Sequence, residues 1–314
     1  MRPAFNEALV ELAREDERIF LVLADIGFNA IEPFANEFPD RFFNVGVAEQ
    51  DMTGIACGLA LEGNIVFTYT IGNFVSIRCL EQVRNDVCYH NANVKIIAIG
   101  GGVAYGALGS SHHCEQDLAI MRSLPNLIVL SPGDAVETRL LTRAIAAHNG
   151  PCYMRVGRGR EAVVHQSEPD LQIGKAITIR EGNDLTLIST GDMLPYVVEA
   201  SEKLKQDGIN GRVLSMHTIK PLDKEAVISA ASETGAVITV EEHNILGGLG
   251  GAVAEILAES DCPKVPFKRM GLNDAFCKKI GSQKYLRKEY GLSVEDIVDT
   301  VGSVNNKKNK NQEY

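Results

Sequence analysis

Four short apolar runs limit what this chain can fold into. Ile19 to Leu23, Ile65 to Thr70, Val94 to Ile99 and Cys152 to Val156 lack the strict alternation of a half-exposed strand. Such runs suit strands buried on both faces, the condition of a parallel sheet covered by helices. Helical spacing fills the gaps, over residues 4–14, 74–90, 115–123 and 134–148, with a further short strand at 127–130. The pattern returns in the second half, with strands expected at 185–189, 212–216, 236–240 and 265–270. Helices there are expected at about 194–206, 223–232 and 249–259. The alternation predicts an α/β protein of two doubly wound domains with mostly parallel sheets. At 314 residues the chain is long enough for both. The domains are expected at 1–165 and 181–304, with a linker at 166–180 where the periodicity fades. The polar, lysine-rich stretch 305–314 is expected to be a disordered tail.

Between the first two runs lies Phe42-Phe43-Asn44-Val45-Gly46-Val47-Ala48-Glu49-Gln50. Met52, Ile55, Ala56, Leu59 and Ala60 then follow at the spacing of one helix face, and Glu49 falls on that same face. A carboxylate aimed at a core is costly unless it is neutral, paired or functional. The alternative is a first-turn glutamate that favours the helix dipole and faces water. Asp25 sits at the carboxyl end of the first expected strand, where open α/β sheets place ligands. The loop from Val103 to His113 is longer than a β–α connection needs, which points to function. Its glycines, taken singly, fit turn chemistry. Neither standard phosphate-gripping glycine pattern is present.

A net charge of −10 argues against a nucleic-acid surface. No apolar run is long enough for a membrane span, and Met1-Arg2-Pro3-Ala4 opens without a secretory apolar segment. Seven cysteines without a Cys-x-x-Cys pair read as reduced thiols, so a cytoplasmic location is expected. His112, His113 and Cys114 are adjacent, but neighbouring side chains project in different directions, which argues against one metal site from that triplet.

Gly46-Val47-Ala48-Glu49-Gln50, the stretch from Val66 to Val87, the stretch from Gly100 to Asp117 and Glu241-Glu242-His243-Asn244 together resemble the transketolase family. The resemblance extends over nearly the whole chain to about Ile297. It implies a pyrimidine-binding domain followed by a transketolase C-terminal domain, and dependence on thiamine diphosphate. In that family the glutamate matching Glu49 binds N1′ of the aminopyrimidine. Held neutral by burial, it would favour the imino tautomer that takes the C2 proton. Phe74 matches the stacking aromatic, with Tyr69 or Phe67 as the alternative. Ile71 stands where relatives often carry a second aromatic, and Asp25 is counted with the cofactor-binding residues. His112 is a candidate proton shuttle or hydroxyl ligand.

Arg2 and Arg155 match phosphate-binding arginines, and Asn29 stands where the family often has a phosphate-binding serine. The other reading of Arg155 and Arg158 is a solvated strand end. Two departures concern the substrate. Leu108 replaces an aspartate that reads a donor hydroxyl, and Gly100 replaces a histidine, which would leave room for a bulkier sugar. The Gly-Asp-Gly and later Asn that hold diphosphate and Mg²⁺ are missing; Gly191-Asp192-Met193 has no such asparagine after it. The resemblance therefore implies the beta-type subunit of a split transketolase, acting on a non-standard sugar. An amino-terminal partner subunit would supply the diphosphate and Mg²⁺ site, in an α2β2 heterotetramer. The rivals are a subunit like 1-deoxyxylulose-5-phosphate synthase or 2-oxoacid dehydrogenase E1 beta, and a non-catalytic cofactor-binding subunit. The Ser-Ser-His context of His112 favours transketolase or deoxyxylulose-phosphate synthase.

Overall fold

The computed structural model describes residues 1–28, 30–159 and 161–312, with side chains to residue 304. Asn29, a candidate phosphate ligand, lies outside the described residues. In chain order the strands are β1 (Ile19–Leu23), β2 (Phe42–Asn44), β3 (Ile65–Ile71), β4 (Val94–Ile99), β5 (Ile128–Leu130), β6 (Cys152–Val156), β7 (Ile177–Arg180), β8 (Leu185–Ser189), β9 (Gly211–Ser215), β10 (Thr218–Lys220), β11 (Val237–Asn244) and β12 (Phe267–Leu272). The helices are α1 (Arg2–Glu15), α2 (Glu32–Glu37), α3 (Glu49–Leu61), α4 (Leu80–Gln82), α5 (Asp117–Arg122), α6 (Ala135–Ala147), α7 (Leu194–Gln206), α8 (Lys224–Glu233), α9 (Leu249–Glu259), α10 (Gln283–Glu289) and α11 (Val294–Gln312).

The expected apolar runs form the centre of a seven-stranded sheet in the order β10-β5-β6-β4-β3-β1-β2. Its strands are parallel except β10, which pairs antiparallel with β5. Both faces are covered, and β3, β4 and β6 are buried along nearly their whole length. The second sheet, β12-β11-β8-β9-β7, is parallel except for β7 at its edge. Two mostly parallel sheets covered by helices are what the alternation predicts.

Asp134 caps α6, its Oδ1 accepting from the Glu137 amide at 2.9 Å. Its other oxygen accepts from the amides of Val164 and His165 at 2.9 and 3.0 Å. Residues 164 and 165, just before the expected linker, are thus held at the head of α6, and the linker's last residues form β7. Helix α11 continues through Gln312, into the stretch expected to be disordered. No helix among the described residues is long and apolar enough to cross a membrane.

The segment after β3 departs from the expected single α-helix. Two π-helical stretches, Phe74–Arg78 and Val83–Cys88, flank the short α4. Such widened turns are often found at functional sites.

Candidate active site

Glu49 is the first residue of α3 and only 3% exposed. A buried carboxylate needs a partner, and here its Oε2 accepts from Arg78 Nη1 at 2.8 Å. The Arg78 side chain is 47% exposed, so the pair opens toward solvent on one side. The same guanidinium lies over the Phe74 ring, 4.2 Å from its centroid. Phe74, half-buried, meets the His112 ring at 5.2 Å and 60°. His112 in turn faces Tyr105 at 6.3 Å, and Arg158 lies 4.3 Å over the Tyr105 ring. Glu49, Arg78, Phe74, His112, Tyr105 and Arg158 therefore form one continuous strip.

The structure links Glu49 to Phe74 through Arg78, and Phe74 to His112 directly. Glu49, however, is ion-paired with Arg78, where the family resemblance has it neutral and bonded to N1′ of the cofactor. Ile71, the last residue of β3, is partly exposed. Asp25 stands at the end of β1 with a left-handed φ of 47°, exchanging hydrogen bonds with Asn44. Tyr69 is elsewhere. It is fully buried and stacked on Phe5 at 5.9 Å, and Phe67 packs against Phe5 as well. Alternation along β3 sends both rings to the face covered by α1, so neither offers a ring to a cofactor beside Glu49. Among these aromatic candidates, Phe74 is the one with open surface.

The glycines of Gly100-Gly101-Gly102 each admit a side chain from elsewhere. A Cβ on Gly100 would come within 2.2 Å of the Tyr105 ring. One on Gly101 would meet Arg155 Nε at 1.8 Å, and one on Gly102 would meet Glu242 Cγ at 2.4 Å. Gly100 and Gly102 also have φ of +79° and +54°, which disfavour any side chain there. The space that Gly100 was expected to leave for a bulkier substrate is thus filled by Tyr105. Leu108 likewise departs from expectation, being 55% exposed in a short turn rather than facing a buried hydroxyl.

Arg155 is 6% exposed. Its Nη2 donates to the carbonyls of Cys114 and Glu242 at 2.7 and 2.8 Å, and its Nε lies 3.3 Å from Asp117 Oδ2. Those contacts tie the first domain to the end of β11, and a side chain so buried is not a solvated strand end. Arg158 instead shares a cleft of about 690 Å³ with Arg2, also lined by Ala104, Gly106 and Gln283. The resemblance at Glu241-Glu242-His243-Asn244 also falls on the domain seam. Glu242 accepts from the Val103 amide at 2.7 Å and pairs with Arg287, while Glu241 accepts from the first amides of α9 at 2.7 Å. Burial raises the pKa of both carboxyls, and these donors oppose it.

Sequence reasoning missed Arg78 and Tyr105. Arg78 had a signal, since it lies four residues after Phe74 in a helical stretch, where a cation and a ring meet. Tyr105 had none, because its place depends on the backbone reversal at Gly100.

Comparison with known proteins agrees with this geometry. Residues 1–161 match the family model "Transketolase, pyrimidine binding domain", and residues 174–297 match "Transketolase, C-terminal domain". The 6-deoxy-6-sulfo-D-fructose transketolase subunit SqwH of Clostridium sp. is 40% identical over 98% of this chain and 95% of its own length. An apulose-4-phosphate transketolase subunit of Phocaeicola vulgatus is 41% identical over 96% of each chain. A solved structure titled "Split gene transketolase, inactive beta4 tetramer" superposes with a TM-score of 0.87, at 39% identity, over 96% of this chain and 97% of that one. The chain, with its buried Glu49 at the head of α3 and its two domains in this order, belongs to the transketolase family.

Proposed function

We propose that this chain is the beta-type subunit of a two-chain, thiamine-diphosphate-dependent transketolase, moving a two-carbon ketol unit from a ketose donor to an aldehyde acceptor. The observation that carries this reading is the buried Glu49, paired with a half-exposed Arg78 whose guanidinium also covers the Phe74 ring. These residues fit the pyrimidine end of the cofactor. When bound, thiamine diphosphate supplies a nucleophilic carbon that attacks a carbonyl and stabilises the resulting carbanion. Glu49 would hold N1′ at Oε2 once Arg78 swings to solvent, and exchange a proton there. Phe74 would take the pyrimidine face, with Ile71 and Asp25 at the rim. His112 would move a proton to or from a substrate oxygen. Arg2 and Arg158, on one cleft, would hold a substrate anion.

The diphosphate and Mg²⁺ belong to an amino-terminal partner in this reading, in an α2β2 assembly in the cytoplasm. Asp192, the aspartate after Gly191, pairs with Arg287 Nη2 at 2.8 Å and accepts from Gln283 at 2.8 Å, so it is spent within the second domain. The donor is a sugar other than the usual ketose phosphates. Support comes from Tyr105 standing in the space at Gly100, and from relatives whose names specify a sulfofructose and apulose 4-phosphate.

The test is reconstitution. The purified chain alone should bind thiamine diphosphate weakly and show no ketol transfer, and adding the amino-terminal subunit should restore turnover. Turnover by the single chain overturns the split-subunit reading. In the restored enzyme, kcat/KM for xylulose 5-phosphate should fall below about 10⁴ M⁻¹s⁻¹, the low end for metabolic enzymes. A normal value would remove the case for a changed donor.

Phe74→Ala should weaken thiamine diphosphate binding by about 1–3 kcal/mol through lost stacking and buried area, read by calorimetry with both chains present. Unfolding of the variant with unchanged affinity per folded molecule would instead make Phe74 a core residue.

A further inference from the structure

His113 lies one residue beyond the strip that carries His112, and its side chain is turned away from it. It is buried together with Glu115 and Cys277, each 3% exposed. His113 Nδ1 stands 3.2 Å from Glu115 Oε1, while its Nε2 is buried without a hydrogen-bond partner. One ligand atom from each of the three residues lies within 4.8 Å of the other two. His112 and Cys114 take no part: His112 packs on Phe74, and Cys114 Sγ lies 4.0 Å from Ser76 Oγ. The expectation against a His112–His113–Cys114 site is therefore consistent with a different set, reached only through the fold.

We propose that His113, Glu115 and Cys277 bind a zinc ion that fastens the loop carrying His112 to the second domain. Zinc takes thiolate, imidazole and carboxylate ligands in a tetrahedron whose donor atoms stand about 3.5 Å apart, so a small side-chain adjustment closes the set. The charge count suits a buried site. A thiolate and a carboxylate cancel the two positive charges, and the imidazole stays neutral, so little net charge leaves water. A water or the second Glu115 oxygen fills the fourth position. The surrounding backbone is already fixed from both domains. The Asn244 amide donates to the Glu115 carbonyl at 2.7 Å, and Ser110 Oγ donates to the Cys277 carbonyl at 2.8 Å.

The test uses the full chain alone, with no thiamine diphosphate, Mg²⁺ or partner subunit. Purified without chelator from zinc-supplemented cells, it should carry about one zinc per chain by elemental analysis. After chelation, Co²⁺ should restore a visible tetrahedral spectrum and a thiolate-to-cobalt charge-transfer band. Cys277→Ser should lose that band and His113→Gln should lose stoichiometric uptake, whereas Cys262→Ser should keep both. If Cys277→Ser does not fold, the wild-type cobalt spectrum and His113→Gln still decide. Wild-type protein without zinc and without a thiolate–cobalt band overturns the proposal and leaves the three side chains as a hydrogen-bonded cluster. A band that persists in folded Cys277→Ser overturns it as well.

Discussion

Glu49→Gln should lower ketol transfer by the reconstituted two-chain enzyme about 10²–10⁴-fold, the usual range for removing a positioned acid–base group. The fold should survive, because glutamine is nearly isosteric and its carbonyl oxygen can still accept from Arg78. The ion pair is half-exposed on the Arg78 side, so its loss should cost less than about 1 kcal/mol of stability. A large fall in rate with little change in unfolding is thus the signature of chemistry at Glu49. Full activity in the variant would reduce Glu49 to a helix-start residue paired with an arginine, and the proposed function would fall with it.

Arg155→Ala should destabilise the chain by about 3–5 kcal/mol, the range for stranding one member of a buried charge pair. Asp117 would keep the Tyr153 hydroxyl at 2.7 Å but lose its guanidinium, and the carbonyls of Cys114 and Glu242 would lose their shared donor. Denaturant unfolding of the single chain reads this directly. A change below about 1 kcal/mol, with weaker phosphate-ester binding in the reconstituted enzyme, would return Arg155 to the substrate role that the family resemblance implies.

Much of this molecule is legible in the sequence, for identifiable reasons. The central strands are continuous apolar runs buried on both faces, so β1, β3, β4 and β6 are visible without partners. Glu49 and Phe74 are visible because a short segment carries each with its neighbours. What escapes depends on contacts between distant segments. Strands β2 and β10 are three-residue strands at the two edges of the sheet, and each is set by pairing with its neighbour rather than by an apolar run of its own. Arg155 carries the charge expected of a phosphate ligand, and only the position of Asp117 and two carbonyls shows that it is already engaged. Tyr105 enters the site by filling the space beside a glycine, a vacancy that no spacing rule announces.

The pairing of β10 with β5 bears on how the chain is made. Thr218 and Lys220 come from the second half, yet they form the outer edge of the first domain's sheet, opposite Leu130 and Val129. During synthesis, β5 leaves the ribosome long before its neighbour exists. Until Lys220 emerges, the first domain carries an uncovered strand edge able to pair with another nascent chain. A fragment ending at the apparent boundary near residue 165 would keep that edge permanently. The two domains are therefore one unit of biosynthesis, and the first is finished only by the second.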